Sequence, residues 1–230
     1  MARGRQHAAQ PLPPPLAPAE RTVGQLVAES IRLYSRHFLR ALPLGLVVAV
    51  VNQLTLDVDR FAVGALLVIA APLFSAAYAY ACTLELEPRP PLRRWAVAVA
   101  AGSLVFAPAA LLFPWFALAA VLWLALVGLA VPAAMVEGTS FTGSLRRGFA
   151  LGRADFVHAS GSLATLVILF YVMRFGLALL LEAQADNTVR TAIFLADTVL
   201  GPLLFLGGTI LYVDQDARLR SRRDTATAKE

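Results

Sequence analysis

The residues of this chain best suited to chemistry are charged or amide side chains set deep in apolar runs. Arg174 lies within LVILFYVMRFGLALLLEA, residues 166–183, and Asp197 lies in the apolar run that follows. Arg174 is eight residues before Glu182 and Asp197 is seven residues after Arg190. At 1.5 Å per residue, both sit about 11 Å inward from one connecting loop, on successive antiparallel helices. A lone arginine or aspartate at that depth costs roughly 2.5 to 3.5 kcal/mol, and pairing reduces both penalties. An Arg174–Asp197 ion pair is therefore expected. Three roles are open to these residues. The pair can staple a helical hairpin, Arg174 can instead snorkel toward Glu182, or the charges can mark a polar path or an anion site. Asn52 and Gln53 lie near the same level in the first apolar run. They either line such a path or hydrogen-bond one helix to another.

Other chemistries lack their signatures. There is no nucleotide-binding P-loop, no His-Glu-x-x-His, no Gly-x-Ser-x-Gly elbow and no dinucleotide fingerprint. GTSFTG, residues 138–143, lacks the lysine and the preceding strand of a phosphate loop. The single cysteine, Cys82, excludes an intrachain disulfide and a cysteine metal cluster, and His7, His37 and His158 are scattered. Glu137 has no identifiable acid–base partner. We assign no catalytic, cofactor-binding or metal-binding residue and expect a protein that is not an enzyme.

The elements that must position these residues are helices in a membrane. The 230-residue chain is 58% hydrophobic and 15% charged, with a mean hydropathy of +0.67; soluble domains average about 25% charged. Residues 1–21 read as a proline-rich disordered tail, with no long apolar run of the secretory-signal kind. Thr22-x-x-Gln25 fits a capping box opening an amphipathic helix. Spans are expected at about 38–56, 61–84, 95–113, 115–136, 159–181 and 191–213. The uncharged run 95–136 would be about 63 Å long as one helix, twice the hydrocarbon thickness. It must turn back, and Pro114-Trp115 is the place for it. Residues 140–156 predict a second interfacial helix, with Phe141, Leu145, Phe149, Gly152 and Phe156 on one face and Arg146, Arg147 and Arg153 as its basic component. Residues 214–230 read as a short, frayed, charged cytoplasmic tail. The expected fold is all-α: a polytopic integral membrane protein of six spans plus two interfacial helices.

Charge placement orients it. Of the twenty basic residues, seventeen fall on the side of the termini, two (Arg60 and Arg190) fall opposite, and Arg174 lies between. The positive-inside rule then puts both termini in the cytoplasm of a plasma membrane. The same placement explains the net charge of +5 without nucleic acid, and makes anionic lipid headgroups the expected partners.

Three segments carry a resemblance: SIRLYSRHFLRALP before the first span, VPAAMVEGTSFTGSLRRGFALGRADF between the fourth and fifth, and LYVDQDARLR after the sixth. In these the chain resembles a bacterial family of six-helix proteins related to the membrane domain of some glycerophosphoryl diester phosphodiesterases. Glu137, Ser140, Leu145, Arg146, Arg147 and Phe149 match that family's glutamate–basic helix. Gly148 stands where serine is more usual, and Asp216 interrupts the Tyr-x-Asp-Leu-Arg ending represented by Tyr212 and Asp214. The spans leave no room for a phosphodiesterase domain, so its activity is not implied. Two functions are expected to compete: a non-enzymatic scaffold or accessory protein contacting anionic lipid or a partner at its cytoplasmic face, and a small transporter or lipid-handling protein with a polar cavity near Arg174 and Asp197.

Overall fold

The computed structural model describes residues 16–85 and 90–227. Most of the proline-rich segment, up to residue 15, lies outside the described residues, as do residues 86–89 of the charged loop and 228–230. Among the described residues, a short 3-10 turn at Pro18–Glu20 is followed by ten helices in order. They are α1 (Val23–Arg36), α2 (Phe38–Leu54), α3 (Arg60–Thr83), α4 (Leu92–Leu112), α5 (Ala117–Val127), α6 (Ala130–Glu137), α7 (Phe141–Ala154), α8 (Phe156–Leu180), α9 (Asp186–Leu200) and α10 (Pro202–Thr227).

Sequence punctuation accounts for the boundaries. Thr22 and Gln25 close the expected capping box on α1. Asp59 accepts hydrogen bonds from the backbone N–H groups of Phe61 and Ala62 to start α3, and Ser140 accepts from Gly143 N–H to start α7. Two breaks fall inside apolar runs. Pro132 and Pro202 lack an N–H for the carbonyls of Gly128 and Thr198, so the chain kinks between α5 and α6 and between α9 and α10. Each of these pairs runs on as one span, 117–137 and 186–225.

The all-helical, multi-pass membrane architecture expected from the sequence is present. Among the described residues, five helical stretches are long and apolar enough to cross a bilayer, and the α1–α2 pair, bent by 111°, is a sixth if counted as one. The bend has a simple cause. α1 is amphipathic and buries Leu26 and Leu33 against the bundle, whereas α2 is mostly apolar with its polar residues near its two ends. Large side chains such as Ile69 and Leu180 point outward, at 76% and 83% exposure, as in a lipid-facing surface.

Contacts define two ends. At one, Phe61 packs on Trp115 (ring centroids 5.1 Å apart) and Arg190 bridges Asp57 at 2.6 Å, gathering the 55–59, 113–116 and 181–185 connections. We call this the loop end. At the other, Arg94 donates to the carbonyls of Met135 and Val136 at the close of α6, and Tyr80 donates to the carbonyl of Arg40. Gly138 follows there with φ of 66°, and a Cβ on it would come 2.7 Å from Arg94 Nε. We call this the termini end. One expectation fails here. The chain beyond residue 213 does not leave the bundle as a frayed tail, because α10 continues unbroken to Thr227 and buries Asp214, Gln215 and Asp216.

Candidate functional site

Three groups of residues could serve a function, and they lie at different depths. The first is the intramembrane charge cluster. Arg174 on α8 brings Nε to 3.3 Å from Asp197 Oδ1 on α9. Asn52 Nδ2 on α2 donates to Asp197 Oδ2 at 2.9 Å. Asp197 is almost fully buried, at 1% exposure, while the Arg174 side chain keeps 20%. The Arg174 contact is off line for a hydrogen bond, so Asp197 Oδ1 is held by charge and not by a directed donor. Gln53 points elsewhere and makes no side-chain hydrogen bond to another described residue. Arg174, Asp197 and Asn52 thus meet across three helices, and Gln53 stands apart.

The backbone makes this meeting possible. α2 crosses the α9–α10 joint at two glycines, Gly45 and Gly201. A Cβ on Gly45 would fall 1.8 Å from Thr198 O, and one on Gly201 would fall 2.9 Å from Gly45 Cα. Thr198 O is the carbonyl that Pro202 leaves without an intrahelical donor. Only a glycine on α2 admits it, and that close approach carries Asn52 to Asp197.

The second group is a cavity of about 230 Å³ between α2, α3, α4, α5, α8 and α10. Phe74, Phe106, Phe170 and Phe205 dominate its wall, and its polar side chains are Asn52, Tyr78 and Tyr171. The alternative reading, a transporter or lipid-handling protein, places a polar cavity near Arg174 and Asp197. The cavity found is apolar, touches the charge cluster only through Asn52, and has neither charged residue in its wall. The reason is visible at Asp197, whose carboxylate is directed at Arg174 and Asn52 instead of at the space between helices.

The third group lies at the termini end. Glu137, the last residue of α6, accepts from Arg147 Nε at 2.7 Å and from the Tyr212 hydroxyl at 2.8 Å. Arg147 also pairs with Asp216, which Arg220 engages at 2.6 Å. Burial works against the Arg147 charge, but the Glu137 and Asp216 carboxylates more than offset it and raise its pKa above the ordinary arginine value. Arg147 therefore stays cationic at any pH the protein meets. Nearby, Arg21 bridges Asp214 at 3.0 Å, and Arg218 bridges Asp155 at 2.7 Å while also donating to the carbonyl of Arg21. Gln215 exchanges two hydrogen bonds with the Asp155 backbone. His158 Nε2 stops 3.8 Å from Asp214 Oδ2, beyond hydrogen-bond reach. Among the described residues, no three His, Cys, Asp or Glu side chains converge as a metal site would need.

Of the residues expected on the interfacial helix, Arg146 and Arg153 are exposed, and Arg153 lies 5.4 Å over the Phe149 ring. Arg147 differs from expectation, being turned inward onto Glu137 and Asp216 instead of toward headgroups. Sequence reasoning missed Arg21, Asp155, Gln215 and Arg218 as members of this network. A signal was present: Asp214/Arg218 and Asp216/Arg220 recur at i,i+4 with no glycine or proline after Gly208, the pattern of a helix continuing past its apolar stretch.

Fold and clusters together define an all-helical, multi-pass membrane protein with charged locks at two depths. Comparison with family models, curated proteins and solved structures finds no match to this chain.

Proposed function

We propose that the protein is a non-enzymatic scaffold or accessory protein of a bacterial plasma membrane, with both termini cytoplasmic, that gathers anionic lipid at its termini end. The observation carrying this reading is the outward face of α7. Phe141 and Phe149 are exposed there beside the exposed Arg146 and Arg153, and Phe156, exposed at the start of α8, follows them. Aromatic rings seated among acyl chains with guanidinium groups at phosphate level is the composition of an interfacial helix. α1 repeats it, with Ile31 exposed beside Arg32 and Arg36. The biased charge distribution supports the orientation, and the resemblance to six-helix membrane-domain proteins supports a role without catalysis.

The test is lipid retention. The chain is purified in nanodiscs of phosphatidylcholine and phosphatidylglycerol, and the retained anionic lipid is counted by native mass spectrometry. Each surface arginine contributes on the order of 1 kcal/mol. Arg146→Gln with Arg153→Gln should then lower apparent affinity for phosphatidylglycerol by about thirtyfold, with the loss shrinking at high salt. Unchanged enrichment in the double variant would reject the reading and favour a protein partner at this face.

A further inference from the structure

We propose that the apolar cavity is a binding site for one acyl chain of a membrane phospholipid, entered from the loop end with the polar head at a rim formed by Asn52, Tyr171 and Arg174. This goes beyond the lipid contact argued for α7 and does not depend on it. The shape is the first support. The cavity wall runs along α3 from Leu67 to Tyr78 and along α8 from Leu163 to Tyr171, about 16 Å and 12 Å of helix respectively. It is therefore long in the direction in which lipid chains lie. Size is the second. An apolar cavity of about 150 Å³ stays dry and holds a benzene ring. At about 230 Å³ this one exceeds that, yet it falls short of the roughly 300 Å³ at which pockets for whole drug-sized molecules begin. A chain segment fits and a whole lipid does not.

The rim is the third support. On α8 the lining residues Leu163, Val167 and Phe170 recur at helical spacing, and the next position in that stripe is Arg174. The stripe thus passes from hydrocarbon wall to guanidinium at the loop end. There Asn52 enters the wall, and Phe113 stacks on Tyr171 with centroids 6.2 Å apart, tying the end of α4 to α8. Along the rest of its length α8 packs chiefly on α5, α9, α10 and α1, and its contacts with α3 and α4 are few. A guanidinium has five N–H donors, more than the single carboxylate oxygen of Asp197 can accept. The remaining donors suit phosphate or ester oxygens.

The experiment uses the full chain in vesicles of phosphatidylethanolamine and phosphatidylglycerol containing a phospholipid with a diazirine in one acyl chain. After irradiation, labelled peptides are mapped by mass spectrometry. Label on Phe74, Phe106 and Val167 should saturate as the photolipid fraction rises. Label on the outward Ile69 and Ile168 should instead grow in proportion to it. Filling the cavity with Ala109→Phe or Ala120→Phe should reduce the inner label about tenfold and leave the outer label unchanged. Label confined to outward positions, or inner label that never saturates, would overturn the site. That comparison is made on the unsubstituted chain, so a filled variant that misfolds cannot obscure it. A diazirine fatty acid is run in parallel; capture of it alone would reject a phospholipid and leave a free fatty acid as the occupant.

Discussion

A carboxylate in hydrocarbon has two oxygens to satisfy, and Asp197 divides them between an arginine and an amide. Removing one partner therefore differs from removing all. Arg174→Leu alone leaves the buried Asp197 carboxyl held only by Asn52, and Asp197→Leu alone leaves Arg174 without its counter-ion. Either should lower the folded fraction in detergent by on the order of 2 kcal/mol, and the double leucine variant should recover much of that. A double variant no better than the worse single one would dissolve the pair. Asn52→Leu should cost less, about 0.6 kcal/mol, the mean for polar contacts between membrane helices. Thermal unfolding followed by circular dichroism reads all four. The meeting of Arg174 and Asp197 was legible because residue counting fixes depth on antiparallel helices. Which of two adjacent amides would join them was not, since Asn52 and Gln53 share a depth and differ by 100° of rotation, which packing alone decides.

At the scale of elements, α7 is held against the bundle by backbone proximity as much as by charge. A Cβ on Gly152 would fall 2.2 Å from Leu126 O, and one on Gly148 would fall 2.5 Å from the backbone N of Ala130. Gly152→Ala should therefore destabilise by about 1 to 3 kcal/mol through overpacking. Ser140→Ala, which removes only the cap, should cost about 1 kcal/mol. If Gly152→Ala melts with the native chain, α7 is not docked as described. The two amphipathic helices, the cap on α1 and the turn at Pro114-Trp115 were readable from composition and spacing. The length of α10 was not, because a charged stretch after an apolar one reads equally as a solvated tail. Only the partners at Arg21, Asp155, Glu137 and Arg147 make it an inserted, charge-matched helix end.

For the whole molecule, alternation of the apolar segments between two ends yields a topology that labelling can examine. Single cysteines at 58, 114 and 186 should react with an impermeant maleimide in intact cells, and one at 145 should react only after the membrane is opened. Cys82 is buried, so the background should be low. Reaction at 145 in intact cells would reverse the proposed orientation. The loop-end pairs Phe61–Trp115 and Arg190–Asp57 were not legible as contacts, because local patterns carry no information on which hairpin lies beside which.

The Asn52–Asp197 hydrogen bond also sets a schedule for the ribosome. Its two residues are 145 positions apart, an interval of roughly 7 to 30 s of synthesis at 5 to 20 residues per second. For that time α2 waits in or beside the insertion machinery with its amide exposed and its glycine face open. Arg174 is made before Asp197 too, so the last span to arrive seals the first and the fifth together. A chain that stalls before Asp197 therefore presents an unsealed amide and an unpaired cation at the same depth, both of which the finished chain conceals.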